Sequence, residues 1–401
     1  MSRITVRPRA TALSPIEALQ RKAAEDPRVI DLAGGLPSPR QFPRAKLGAA
    51  FAHVLNQPSC GALQYGWPEG SSGLRHVIAA RLQSRGADIA DDDVIVTNGA
   101  QEAIAIAVQI VCRPGSRIGV EPTTYQAALE LFRTRELEPT ASGGRVAAHY
   151  VMPALSNPSA CQASDAERKR LLASHLPIIE DDAYAELRFD GPPPAPLVTQ
   201  ARTRVWHVGT FSKTLCPGLR VGWLVPPRSR AREALRLKRD TDLQSNSLAQ
   251  SIVERYLCNE DFDARLERLR ASYARRARTL FRAARRHLPE WRYKFPQGGF
   301  VLWLETPSTV DEMALLRAAL QAGVSFDPGS LFRADRASEP TAVRLCFSYA
   351  DESQLEKGVA RLASAWKKIG GRRSRRKVTG SPSPNRVGAA REDNTLSIIL
   401  R

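Results

Sequence analysis

Residues 92–120, "DDVIVTNGAQEAIAIAVQIVCRPGSRIGV", constrain the fold more than any other stretch. A short β-branched run ends in a turn at Asn98-Gly99, and an apolar helical segment follows until Pro114-Gly115 stops it; a second β-branched run then begins. Strand, turn, helix and strand in that order make a βαβ unit, the signature of a parallel sheet. The runs "LPIIEDD", "RVWHVGTFS" and "RVGWLVP" add further strands. After Pro227 the pattern turns helical to about residue 289, and "GGFVLWLE", "GVSFDPG" and "AVRLCFS" then suggest a smaller α/β unit. The expected class is therefore α/β. No segment repeats, and neither GxGxxG nor GxxxxGK[ST] occurs, so dinucleotide and P-loop readings have no support.

With 401 residues and 43% hydrophobic content the chain can bury a large core, as two domains or as one with an appendage. It has no run of roughly 18 uncharged apolar residues, and its N-terminus lacks the apolar core of a signal peptide. No membrane partner is expected, and the expected address is the cytoplasm. The six cysteines, Cys60, Cys112, Cys161, Cys216, Cys258 and Cys346, are scattered without metal-ligand or disulfide spacing. They are expected to be reduced and mostly buried, and no metal is expected. A net charge of +18 raises nucleic acid as a partner, but its distribution argues against one. From Lys367 onward ten basic residues face only Glu392 and Asp393, and "ARLERLRASYARRARTLFRAARRHL" reads as an amphipathic helix with a solvated basic face. The segment from Gly370 is too polar and too rich in Gly, Pro and Ser to pack, and is expected to be disordered.

Four short motifs carry chemistry. In "VGTFSKTLCPGLRVGW" Lys213 stands among hydroxyls with Arg220 seven residues on. An amine that attacks an aldehyde needs a lowered pKa, and hydroxyls beside an arginine suit a phosphate. In "PIIEDDAYAELRF" an apolar run ends in acids, at the strand end where open parallel sheets bind ligands. "VTNGAQEAI" sets Gly99, Ala100 and Gln101 at a helix N-terminus, whose free amides bind anions. In "TAVRLCFS" alternation puts Val343, Leu345 and Phe347 on one strand face and Arg344 on the other, where its fork suits a carboxylate. Taken singly, each has a bland reading as surface lysine, acidic turn, ordinary βα turn or surface arginine.

Together, and in order from about Ala33 to Ala365, they resemble the class I/II aminotransferases, the fold-type I pyridoxal phosphate enzymes. "IIEDDAY" with "SKTLCPGLR" is similar to the 2-aminoadipate and kynurenine type transaminases, and to the catalytic half of winged-helix regulator fusions. The resemblance implies a three-layer α/β/α large domain with a mostly parallel sheet over residues 51–270. It also implies an arm and part of a small domain over 1–50, the rest of that domain over 271–369, and a tail over 370–401. It implies pyridoxal 5'-phosphate bonded to Lys213, which also moves the substrate proton. Thr210, Ser212, Arg220, Gly99, Ala100 and Gln101 would hold the phosphate, and Asp181 the ring nitrogen, with Asp182 one register away as the alternative. Tyr184 and Asn157 would reach the phenolic oxygen, and Tyr125 would stack on the ring. In "LSNPSA" Ala160 replaces the family's glycine. Arg344 and Gly35 would take the substrate α-carboxylate, and Tyr65 would cross a homodimer interface to the other subunit's phosphate. Transfer of an amino group from an L-amino acid to a 2-oxo acid, commonly 2-oxoglutarate, is the implied reaction. A β-lyase or a biosynthetic synthase or cyclase is the alternative. An amino-acid-sensing regulator needs a winged-helix domain, and about 30 residues before "DLAGGLP" are too few for one. The segment between Tyr125 and Asn157 is shorter than the family's usual strand, turn and helix, so a unit on the sheet is expected to be abbreviated.

Overall fold

The computed structural model describes residues 16, 19–21, 25–58, 61–334 and 340–370; the tail beyond Gly370 lies outside them. Thirteen strands alternate with helices among these residues. β1 (Ile30–Asp31) is followed by β2 (Ile95–Thr97), β3 (Arg117–Val120), β4 (Glu138–Thr140), β5 (Ala148–Val151), β6 (Ile178–Asp181), β7 (Val205–Thr210) and β8 (Gly222–Val225). β2 to β8 form one sheet in the order β2-β8-β7-β6-β5-β3-β4, in which β8 alone runs against the others.

Alternation along these strands makes the three layers. Ile118, Tyr150, Ile179, Trp206, Val208 and Leu224 project into one apolar cluster. Val96, Val151, Ile178, Val205 and Val225 project into another on the opposite face. Helices cover both faces: α1 (Arg44–Leu55), α2 (Ser72–Gln83), α3 (Ala100–Val111), α4 (Gln126–Thr134), α5 (Asp165–Ala173), α6 (Ala231–Asp242) and α7 (Ser247–Asn259). α3 and α4 feed the first cluster, α2 and α7 the second.

The long basic run is α8 (Phe262–His287), capped by Asp261 on the Ala264 amide. It passes unbroken through residue 270, the expected domain boundary. Beyond it, β9 (Arg292–Tyr293), β10 (Val301–Glu305), β12 (Asp327–Pro328) and β13 (Ala342–Cys346) form an antiparallel sheet, while β11 (Val324–Ser325) pairs with β1. α9 (Glu312–Gln321) and α10 (Glu352–Lys368) complete this smaller α/β unit.

The abbreviated segment keeps its strand, β4, but residues 141–147 join β4 to β5 with no helix. Ala160 adopts φ 53°, a left-handed conformation that disfavours a Cβ, which explains the glycine in the motif it resembles. Cys112 and Cys346 are buried, but Cys258 is exposed and Cys161 and Cys216 only partly covered; the expectation of mostly buried thiols is corrected for the described residues. Cys258 is exposed because it sits in the last turn of α7, where only it and Asn259 are exposed. No helix among the described residues is long and apolar enough to cross a membrane.

Candidate active site

The carboxyl ends of the parallel strands converge on one cleft, as the topology of open α/β sheets requires. β2 delivers Ala100 and Gln101, β3 Tyr125, β5 Asn157, β6 Asp181 and Tyr184, and β7 Thr210, Ser212 and Lys213, all lining a cavity of ≈ 120 Å³ with Arg220. Gly35 and Arg344 stand beside it: Arg344 donates to Asn157 Oδ1 at 2.8 Å. Tyr65 does not line the cleft, being 79% exposed on a separate loop.

Lys213 projects between aromatic rings, with its Nζ 5.3 Å from the Tyr184 ring centre and 5.8 Å from that of Phe300. Burial, reinforced by the Arg344 charge, lowers its pKa from the usual lysine value, so the neutral, nucleophilic amine is favoured. Tyr184 is fully enclosed, edge-on to Phe300 at 5.5 Å, and burial pushes its phenol up.

The three acids of "EDD" separate cleanly. Glu180 accepts from the Leu197 and Val198 amides at 2.6 and 3.2 Å, and Asp182 pairs with Arg85 at 2.5 Å. Asp181 alone faces the cleft. Its Oδ2 accepts from the Tyr150 hydroxyl at 2.7 Å and its Oδ1 from the Ala183 amide at 3.1 Å. Burial raises its pKa, and those two donors oppose the rise. Tyr150 is itself fully buried, edge-on to Phe132 at 5.4 Å. Tyr150→Phe leaves the carboxylate one donor short and is expected to move the acid limb of the pH–rate profile upward by about 1–2 pH units. An unchanged limb would remove Tyr150 from this role.

The Gly99 end of the cleft is built on backbone. Gly99 begins α3 at φ 83° with no side-chain cap, leaving the helix amides free. A Cβ there would lie 2.5 Å from Arg220 Nη2, so glycine is what lets the guanidinium in. Arg220 donates to the Asn98 carbonyl at 3.1 Å and reaches Ser212 Oγ at 3.5 Å, while Thr210 Oγ1 lies 2.9 Å from the Ser212 hydroxyl. Behind the turn, Lys238 is buried against Asp242 at 2.5 Å and Glu102 at 3.5 Å, and Asp242 accepts from Asn98 Nδ2 at 2.6 Å. Gly99→Ala is expected to weaken cofactor binding at least tenfold in a titration of the apoprotein, because the new methyl displaces Arg220 from the anion.

Arg344 is held with equal care. Its Nε and Nη2 donate to Asp327 Oδ2 at 3.0 and 2.6 Å, across the β12–β13 pair, and its planar group stacks 4.3 Å from the Phe332 ring centre. The Nη1/Nη2 end faces Gly35, where a Cβ would approach to 3.3 Å. Tyr150, Asp327, Phe300 and Lys238 were not singled out from sequence. Tyr150, Asp327 and Phe300 act through partners distant along the chain, Lys238 through Asp242 four residues on as well as Glu102, and none lies in a motif.

Buried Gln101 Oε1 has no partner, Asp181 ends in a buried carboxylate, and the Lys213 amine shares one cavity with that carboxylate, with Ser212 and with Arg220. Such a donor set, on a sheet of this topology, is that of a fold-type I pyridoxal phosphate enzyme. The family described as "Aminotransferase class I and II" matches residues 29–141 and 151–362, broken where the β4–β5 link is short. The chain belongs to this family, and it is a pyridoxal phosphate-dependent aminotransferase. It is 32% identical to aromatic-amino-acid aminotransferase 1 of Thermococcus litoralis, over 86% of this chain and 90% of that protein. It is likewise 32% identical to the 2-aminoadipate transaminase of Thermus thermophilus, over 86% of this chain and 92% of that protein. Pyrococcus horikoshii kynurenine aminotransferase superposes with a TM-score of 0.83 at 30% identity, covering 90% of this chain and 95% of that one.

Proposed function

We propose that the protein takes the amino group of an L-α-amino acid and delivers it to 2-oxoglutarate, with the side chains of the cleft in the roles that follow. The observation that carries this reading is Arg344: 3% exposed, locked by Asp327 and Asn157, with one edge turned to Gly35. A buried arginine fixed in this way suits the carboxylate common to donor and acceptor.

Bound pyridoxal phosphate supplies an electron sink for the electrons of the donor's Cα–H bond. The α3 amides, Ser212, Thr210 and Arg220 would grip its phosphate, and Asp181 would keep its ring nitrogen protonated. Asn157 and Tyr184 would steady the phenolic oxygen, and Tyr125 would cover the ring. Lys213 would hold the cofactor's aldehyde, and its Nζ would serve as the base that moves the proton of the substrate Cα. Its lowered pKa fits that of a base.

Arg344→Lys is expected to lower kcat/KM for α-amino acids by roughly 10²-fold, the equivalent of about 3 kcal/mol, because an ammonium lacks the fork. A loss confined to kcat would exclude the carboxylate role.

A donor screen with holoenzyme tests the reaction. Donor alone is expected to bleach the visible band with one equivalent of 2-oxo acid released and no ammonia, and 2-oxoglutarate is expected to restore it. Continuous ammonia release without acceptor would indicate a β-lyase instead.

A homodimer accompanies this reading. Tyr65 is 79%, Trp67 75% and Leu63 68% exposed on one loop, an apolar surface of the kind that partners cover. Sedimentation at micromolar concentration is expected to give twice the chain mass. The free cysteines support a reducing, cytoplasmic setting.

A further inference from the structure

We propose that a groove beside the catalytic cleft binds a small organic cation, one with a guanidinium or ammonium head on a short apolar body. The groove follows from topology. The connection β3–α4–β4 steps outward across the sheet, and the chain must then step back over β3 to reach β5. Right-handed crossovers put α4 on the Ile118 and Tyr150 face and send the return link over the opposite one. A parallel return ordinarily takes a dozen or more residues, usually a helix. Residues 141–147 make it in seven, without a helix, and the face bearing Gly119, Glu121, His149 and Val151 is left with a groove walled by residues 153–163 and by α5.

The result is a cavity of ≈ 430 Å³, larger than the catalytic one and sharing no lining residue with it. Its inner wall is rich in acceptors. The Glu121 carboxyl takes the Met152 amide, but its Oε2 is buried without a partner. Burial, and the neighbouring Arg204 charge, hold His149 below the usual imidazole range, so its neutral ring offers an acceptor nitrogen. Ser156 and Ser159 bond to one another. Glu167 stands at the mouth, where Arg170 is the one lining cation among the described residues. An occupant that brings donors and positive charge would satisfy Glu121, whereas an anion would meet two carboxyls. Val151, Pro153 and Leu171 give its alkyl body an apolar wall. Burial pushes the Glu121 carboxyl up to about 7, as expected of an acid still lacking its counter-charge.

The probe is butylguanidinium, which does not condense with the cofactor's aldehyde, titrated calorimetrically into holoenzyme with butyrate as comparison. One saturable site per chain is expected for the cation and none for butyrate. Glu121→Gln is expected to weaken binding at least tenfold. Gln162→Trp, which fills the mouth and leaves Glu121 in place, is expected to do the same, and it decides the matter if the first variant does not fold. Lys213→Ala is expected to bind as wild type, which separates this groove from the cleft and its chemistry. No saturable binding, equal binding of butyrate, binding unchanged in the folded variants, or its loss with Lys213 would each overturn the proposal.

Discussion

Lys213→Ala is expected to lose turnover by roughly 10⁴-fold or more and to leave a protein to which borohydride reduction fixes no cofactor. Two separate functions disappear with one amine. The first is the covalent link to the cofactor aldehyde. The second is the base at Cα, a role that contributes roughly 10²–10⁴-fold by itself in enzymes of many kinds. An exogenous amine such as methylamine is expected to restore part of the rate and none of the covalent attachment, which separates the two. The fold should survive, because Lys213 packs between the Tyr184 and Phe300 rings without an ion pair to leave stranded. A variant that keeps wild-type turnover, or still fixes cofactor covalently on borohydride reduction, would sink the reading of this cleft.

Much of the architecture was legible because it rests on local pattern. Strand, turn and helix around Asn98-Gly99 announce a parallel sheet, and the carboxyl ends of such strands gather whatever they carry. The sequence pattern alone therefore places Lys213, Asp181 and Arg344 at strand ends or on a strand. What escaped detection depends on pairing. Tyr150 in "AHYV" looks like an ordinary core aromatic until its hydroxyl is seen on Asp181, 31 residues on. Asp327 in "FDPG" looks like a turn acid until β12 sets it opposite Arg344. Which of Asp181 and Asp182 enters the cleft was likewise open in sequence, because a one-residue slip reverses the face. The Arg85 pair, with His207 Nε2 3.8 Å away, shows where Asp182 is committed. The groove left its mark as a shortage, a segment too brief for the helix that covers that face.

Asp181→Asn is expected to lower kcat by about 10³-fold while melting within a few degrees of the parent. Asparagine is nearly isosteric and still accepts the Tyr150 hydroxyl, so packing changes little. What it cannot do is carry charge. Two opposite unit charges about 4 Å apart interact by about 4 kcal/mol at an effective dielectric near 20, which corresponds to about 10³ in rate if it stabilises the electron sink only as charge develops. The pH profile discriminates this from a merely structural effect. Burial raises the Asp181 pKa, so the working carboxylate is lost as pH falls through that raised value, and wild type is expected to show an acid limb there. Tyr150→Phe shifts the limb upward; Asp181→Asn abolishes it, with the residual rate flat across the same range. An asparagine variant within tenfold of wild type, or one that retains the limb, would show that the ring nitrogen is held by another group.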